Sequence, residues 1–252
     1  MIACKSANSY RALNKNPRTE QNYQMRPSVK LSVVIPMLNE SSSLPVLFDH
    51  WRNFLRDDCE VLVVDGGSTD DSVSLTEQAG FRVLPALRGR ALQMNAGAAM
   101  ACGDVLLFLH ADTIPPPDTA RILRNACLDS PCVWGRFNVR IQGRSWMFPV
   151  IGTLMNWRSR WTGIATGDQA IFVKKEAFQK VGTFPDQPLM EDIEISKRLL
   201  SLSPPLCLKS CVITSGRRWE TRGVWRTILL MWRLRWAYWR GTSAQDIARA
   251  YR

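Results

Sequence analysis

The chain has only two histidines in 252 residues, His50 and His110. Its seven cysteines (Cys4, Cys59, Cys102, Cys127, Cys132, Cys207 and Cys211) are odd in number and include no C-x-x-C pair. That spacing argues against a structural zinc site and for buried thiols in a reducing compartment. Runs of about 20 apolar residues are missing too, so no membrane-spanning helix is expected. The first 30 residues lack the apolar stretch of a secretory signal, so the expected location is cytoplasmic.

Acidic residues are also scarce, at 22 against 33 Lys and Arg. The deficit lies at the two ends. Residues 1–30 hold six basic residues and one acid, residues 211–252 hold nine and two, and the stretch between is balanced at 18 and 19. A nucleic-acid-binding domain carries a basic stripe across its folded body, so no nucleic-acid partner is expected. Basic ends fit an arm and a surface helix that meet phosphates or acidic lipid.

What is present is ordinary for a globular protein, with 46% hydrophobic and 22% charged residues. Residues 1–28 are polar and without apolar periodicity, which predicts a disordered arm. Order is expected from Val29. Apolar runs at Leu31–Ile35, Val61–Val64, Phe81–Leu87 and Val105–Leu109 read as strands, each followed by a segment of helical period. Continuous apolar strands between helices predict an α/β fold with a mostly parallel sheet covered on both faces. Beyond 130 the rhythm changes. Val133–Ile141 reads as an antiparallel strand, Ile171–Val173 and Leu206–Thr214 as further strands, and Asp192–Leu202 and Gly223–Arg240 as helices. Residues 145–157 are apolar and aromatic but interrupted by Pro149 and Gly152.

Ligands of such sheets bind at the carboxyl ends of the strands. The first strand ends in Pro36-Met-Leu-Asn39-Glu40 and the second in Asp65-Gly-Gly67-Ser-Thr-Asp70. The third leads to Arg88-Gly-Arg90 and the fourth to His110-Ala-Asp112. Asp65 suits a base or ribose, the glycines allow close backbone approach, the arginines suit a diphosphate, and Asp112 is a hard oxygen ligand for Mg²⁺ or Mn²⁺. Asp65–Asp70 reads equally well as a turn and helix cap.

These segments, with Gly103-Asp104, Phe108–Asp112 and Met190-Glu191-Asp192, resemble the family-2 glycosyltransferases over roughly residues 30–220. Arg88–Asn95, Leu109–Thr113 and Gly135–Phe137 are most similar to a small bacterial subgroup. The resemblance implies a GT-A fold over 29–220. A Rossmann-like nucleotide half would take 29–130 and an acceptor half 131–220, with a basic Trp-rich helix over 221–252. It implies a nucleotide-diphosphate sugar donor, an unidentified acceptor, and inversion by a single displacement. Pro36, Asn39, Glu40, Asp65 and Gly67 would meet the donor, with Arg88 and Arg90 at its diphosphate. Asp112 would hold a divalent cation and Asp192 would be the base. Glu191 stands beside Asp192, and Gly167-Asp168-Gln169 would lie at a sugar. The chain departs from the family at the D-x-D position, which reads His110-Ala-Asp112, and His110 becomes a second candidate ligand.

Near the end, Arg217-Arg218-Trp219 partly matches the Arg-Trp end of a motif of processive members, and Arg218 would face the leaving diphosphate. Trp225-Arg226, Trp232-Arg233 and Trp239-Arg240 then repeat every seven residues. Arg beside Trp beside aliphatic suits an interfacial helix on acidic lipid, peripheral on the inner face of the plasma membrane. The same pattern suits a helix packed on the domain through its Trp and Leu faces. Two alternatives to sugar transfer stand. One is nucleotidyl transfer, which the Pro-Met-Leu-Asn-Glu strand end disfavours. The other is a non-catalytic sugar- or lipid-binding module.

Overall fold

The structure, a computed structural model, describes residues 29–52, 59–129, 131 and 133–251. The arm expected over 1–28, Cys4, Cys132, and the Phe54 and Leu55 end of the first helix lie outside the described residues.

The apolar runs form the centre of an eight-stranded sheet. Strands β1 (Leu31–Met37), β2 (Cys59–Asp65), β3 (Arg82–Pro85) and β4 (Val105–Phe108) run parallel in the order β3-β2-β1-β4. Both faces of β1 and β4 are buried, which is why these runs do not alternate. One face packs under α1 (Leu44–Arg52) through Leu44, Leu47 and Trp51. The other packs under α3 (Arg90–Met100) through Ala91, Met94 and Ala98. Small residues let α3 lie close to the sheet. A Cβ on Gly97 would stand 2.4 Å from a Val34 methyl. Helix α2 (Ser72–Gln78) links β2 to β3.

The second half extends the same sheet with mixed directions. After the two-residue β5 (Thr113–Ile114) and helix α4 (Thr119–Asp129) come β6 (Trp134–Gln142), β7 (Ile171–Lys174) and β8 (Leu206–Ser215). The order continues β4-β7-β6-β8-β5. Strand β7 is antiparallel to both β4 and β6, β6 is parallel to β8, and β5 is antiparallel to β8. The strand predicted over 133–141 is therefore antiparallel on one side only.

The interrupted aromatic stretch is helix α5 (Phe148–Thr162). Pro149 sits in its first turn, where no N–H is needed, and Gly152 packs against the Val139 carbonyl. Arg136, fully buried on β6, ties α5 to the sheet. Its guanidinium donates to Ser159 Oγ at 3.0 Å and to the Asn156 carbonyl at 2.9 Å. A 3-10 turn (Gly167–Gln169), α6 (Lys175–Lys180) and α7 (Glu191–Leu200) follow.

The basic end forms three helices where one was expected: α8 (Arg217–Arg222), α9 (Val224–Trp239) and α10 (Ala244–Tyr251). Helix α9 packs through Leu234, Leu230, Met231 and Tyr238 onto Met190 and Ile193 of the α7 region, joined by Ile247 of α10. Trp225, Trp232, Trp236 and Trp239 are exposed, so packing through the Trp face is corrected: the aliphatic arc faces inward and the Trp arc outward. The expectation of buried thiols is corrected too: among the described cysteines Cys102 is exposed and Cys59, Cys127, Cys207 and Cys211 are only half-buried.

Candidate active site

The four parallel strands bring Asn39, Asp65, Arg88–Arg90 and His110–Asp112 to one edge. Among the described residues, three of the four non-glycine positions with positive φ lie at or beside candidate residues: Asn39 (52°), Ala170 (49°) and Met190 (67°). Such strained positions gather where a binding surface dictates the backbone.

The loops after β1 and β2 are sewn together. Asn39 donates its N–H to Ser68 Oγ at 2.9 Å and accepts the Thr69 N–H on Oδ1 at 2.8 Å. The Glu40 N–H donates to Ser72 Oγ at 2.8 Å, and the Ser41 N–H to Asp70 at 3.1 Å. Asp65 accepts the N–H groups of Gly67 and Ser68 at 3.0 and 3.1 Å. Its carboxylate thus shapes the turn, and Gly67 takes a φ of 90° with open space around it. Pro36 lies within β1, opposite Val64 and half-buried. Beneath, the buried amide of Gln93 donates to the carbonyls of Met37 at 2.7 Å and Val64 at 2.8 Å, locking the ends of β1 and β2 together.

A cleft of about 380 Å³ opens beside this loop, lined by Ser42, Ala111, Asp112, Gln142, Ser215 and Arg217 among others. Arg217 walls it by donating to Glu40 Oε2 at 3.1 Å and Ser42 Oγ at 3.0 Å. The main chain of Asp112 is fixed, since its carbonyl accepts the Ser215 N–H at 3.2 Å. Its half-buried carboxylate accepts from Thr113 Oγ1 at 3.4 Å. Among the described residues no three His, Cys, Asp or Glu side chains gather to hold a metal. A lone hard carboxylate suits Mg²⁺ or Mn²⁺ when phosphate oxygens and water complete the shell, so Asp112 fits a cation that arrives with a diphosphate.

His110 is engaged elsewhere. Its Nδ1 lies 3.3 Å from Asp168 Oδ1, and its buried Nε2 has no hydrogen-bond partner. A Cβ on Gly167 would stand 2.5 Å from that Nε2, so this close approach requires glycine. His110, Gly167, Arg90, Phe184, Glu191 and Asp192 line a narrow inner pocket. There Asp192 Oδ2 accepts the Gly167 N–H at 3.0 Å and Oδ1 accepts the Ile193 N–H at 2.8 Å. Burial, and then the Asp192 carboxylate beside it, push Glu191 above the ordinary carboxylate range. Arg90, 3.4 Å away, pulls the other way. Burial acts against the charge of Asp168. The His110 hydrogen bond and the cations Arg90 and Arg218 outweigh it and hold Asp168 below its usual range.

Glu191, Asp192, Arg90 and His110 therefore line one pocket, with Asp168 held against His110, and Asn39, Glu40, Asp65 and Gly67 share one loop pair. Arg88 is exposed. Arg218 donates to the Tyr251 hydroxyl at 2.5 Å and lies over that ring. Gln93 and Arg217 were not singled out from the sequence. Gln93 was detectable as a polar residue on the otherwise apolar inner face of α3.

The family model described as glycosyl transferase family 2 matches residues 32–182. The undecaprenyl-phosphate 4-deoxy-4-formamido-L-arabinose transferase of Serratia proteamaculans is 29% identical over 60% of this chain and 50% of its own length. The Bacillus subtilis protein YdaM, named as a probable glycosyltransferase, is 26% identical over 93% of this chain and 60% of its own. The chain thus spans about half the length of these curated relatives. Among solved structures, the Pyrobaculum calidifontis mannosyltransferase PcManGT with GDP-Man and Mn²⁺ superposes with a TM-score of 0.58. Its identity is 23%, over 83% of this chain and 61% of that one. Residues 1–349 of S. aureus TarS with UDP-GlcNAc superpose with a TM-score of 0.60 at 15% identity, over 74% of this chain and 58% of that one.

Proposed function

Because the chain belongs to glycosyl transferase family 2, we propose that it transfers a sugar from a nucleotide-diphosphate donor to an acceptor hydroxyl, inverting the anomeric centre. The observation that carries this reading is the meeting, at one sheet edge, of the sewn loop pair of Asn39 and Asp65 with a pocket holding Glu191 and Asp192, whose wall residue His110 is paired with Asp168.

The donor's nucleoside lies against Asn39, Glu40, Asp65 and Gly67, and its diphosphate near Asp112 and the arginines. Asp112 would hold a divalent cation, which when bound neutralises charge on the diphosphate. Asp192 accepts the acceptor's hydroxyl proton as the acceptor oxygen bonds to the anomeric carbon. The bond from that carbon to the phosphate oxygen breaks, and its electron pair leaves with the nucleoside diphosphate. Two backbone N–H groups fix the Asp192 carboxylate in place, which favours an aimed base over a mobile one. GDP-Man and UDP-GlcNAc in the neighbouring structures, and Mn²⁺ in one of them, support the donor class and the cation.

Thermal shift with UDP-, GDP- and dTDP-sugars in Mn²⁺, followed by release of label from the stabilising donor, tests this. A ligand at 100 times its Kd adds about 2.7 kcal/mol. Stabilisation with slow donor hydrolysis is expected. Stabilisation without hydrolysis would leave a binding module, and no response to any donor rejects the reading.

A further inference from the structure

Seven of the ten tryptophans are between 60% and 78% exposed, and exposed apolar side chains that cluster mark interaction surfaces. Most lie on two neighbouring helices. On α5 the exposed stripe is Val150, Leu154, Trp157 and Trp161, with the last two rings stacked 5.6 Å apart. On α9 it is Trp225, Leu229, Trp232, Trp236 and Trp239, at the same spacing of four, three and four. The helices share one apolar cluster, Ile151 and Met155 from one and Val224 and Ile228 from the other.

Charge completes the pattern. Helix α5 carries two arginines, α9 carries three, and neither carries an aspartate or glutamate. Arg158 of α5 has a buried Nε and Nη2 without hydrogen-bond partners. Burial, and next the charge of Arg235 on α9, hold Arg158 down to about 10. Arg158, with its buried donors unused, therefore stands within electrostatic reach of both Arg235 and Asp192.

We infer that α5 and α9 form one face that docks on an anionic bilayer, with Arg158 and Arg235 receiving a lipid phosphate between them. Tryptophan rings favour the headgroup level and arginines its phosphates. Face and site are joined: α5 runs directly into the turn bearing Asp168, and α9 packs on Met190 and Ile193 beside Asp192. Docking would hold the acceptor pocket at the bilayer surface. That consequence, a lipid-borne acceptor, rests on the sugar-transfer reading, whereas docking itself is measured without donor.

The test is flotation of the full chain with phosphatidylcholine vesicles, with and without about a third phosphatidylglycerol. Binding to the anionic vesicles is expected, at least tenfold weaker on neutral ones and fading in 1 M salt as the screening length falls to about 3 Å. Arg158→Gln and Arg235→Gln should each lower partitioning about fivefold. The surface pair Trp157→Ser with Trp161→Ser should weaken it without lowering the melting temperature. Equal binding to both lipids, or none, overturns the inference. Parent-like binding of the α5 pair overturns the two-helix face. Stabilisation by inorganic phosphate without vesicle binding would assign the arginines to a soluble anion. Sedimentation showing a dimer that the Trp variants dissociate would assign the face to a second copy of this chain.

Discussion

The Gly167 N–H donates to Asp192 Oδ2 at 3.0 Å, so the turn carrying Asp168 and the helix carrying the proposed base are held as one unit. Glycine is required there because the His110 ring leaves no room for a Cβ. Position and orientation of the carboxylate thus come from backbone contacts, which survive substitution of the side chains around it.

Asp192→Asn should abolish transfer and spare donor affinity. A general base contributes roughly 10²–10⁴-fold to rate and little to ground-state binding. Turnover with a saturating donor, set beside calorimetric donor affinity, checks this. Wild-type turnover would move the role to another group, and Asp168, paired with His110 of the pocket wall, is the next candidate.

Asp112→Asn should remove the Mn²⁺-dependent part of nucleoside diphosphate affinity and leave the fold intact. Among the described residues its side chain bonds within its own turn, to Thr113. Calorimetry with and without Mn²⁺ distinguishes this from loss of folding. An unchanged metal dependence would reject the assignment.

Arg136→Ala should cost about 3 kcal/mol or more. The change opens a cavity and strands acceptors on Asn156 and Ser159. Arg136→Lys should recover only part, because an ammonium cannot reproduce the planar fork. Urea denaturation read by near-ultraviolet circular dichroism measures both.

Asp70 gives a pH signature. The Ser72 hydroxyl, and then contacts with Ser41 and the backbone, lower its pKa to about 2. A carboxylate lowered on folding contributes stability that is full above its unfolded value near 4. That contribution is lost as pH falls toward about 2. Asp70→Asn should therefore flatten the acid limb of the stability curve between about pH 4 and 2 while changing its neutral shape little. An unaltered acid limb would contradict this.

Three strands of the parallel half were legible because they are buried on both faces along most of their length. Val33–Ile35, Val61–Val64 and Val105–Phe108 can be little else between helical periods. Helix α9 was legible to within a residue from its heptad of Trp and Arg. Helix α5 was not, because Pro149 and Gly152 resemble breakers until one sees that the first lies in the opening turn and the second meets the sheet. The order β7-β6-β8-β5 was also hidden, since pairing between distant short strands leaves no local periodicity. In the site, residue types at strand ends pointed to the loop pair and to Asp192. The separation of His110 from Asp112 was not visible, because it depends on which way each side chain leaves the β4 end.

The packing of Leu234 and Ile247 against Met190 and Ile193 bears on how the chain can be divided. By composition alone, residues 221–252 look like a removable tail. Cutting there would uncover the apolar side of the very turn that presents Glu191 and Asp192. Fusion partners, protease sites and minimal fragments therefore belong after Tyr251, and a fragment ending near 220 would lose the packing behind Glu191 and Asp192 along with its tail.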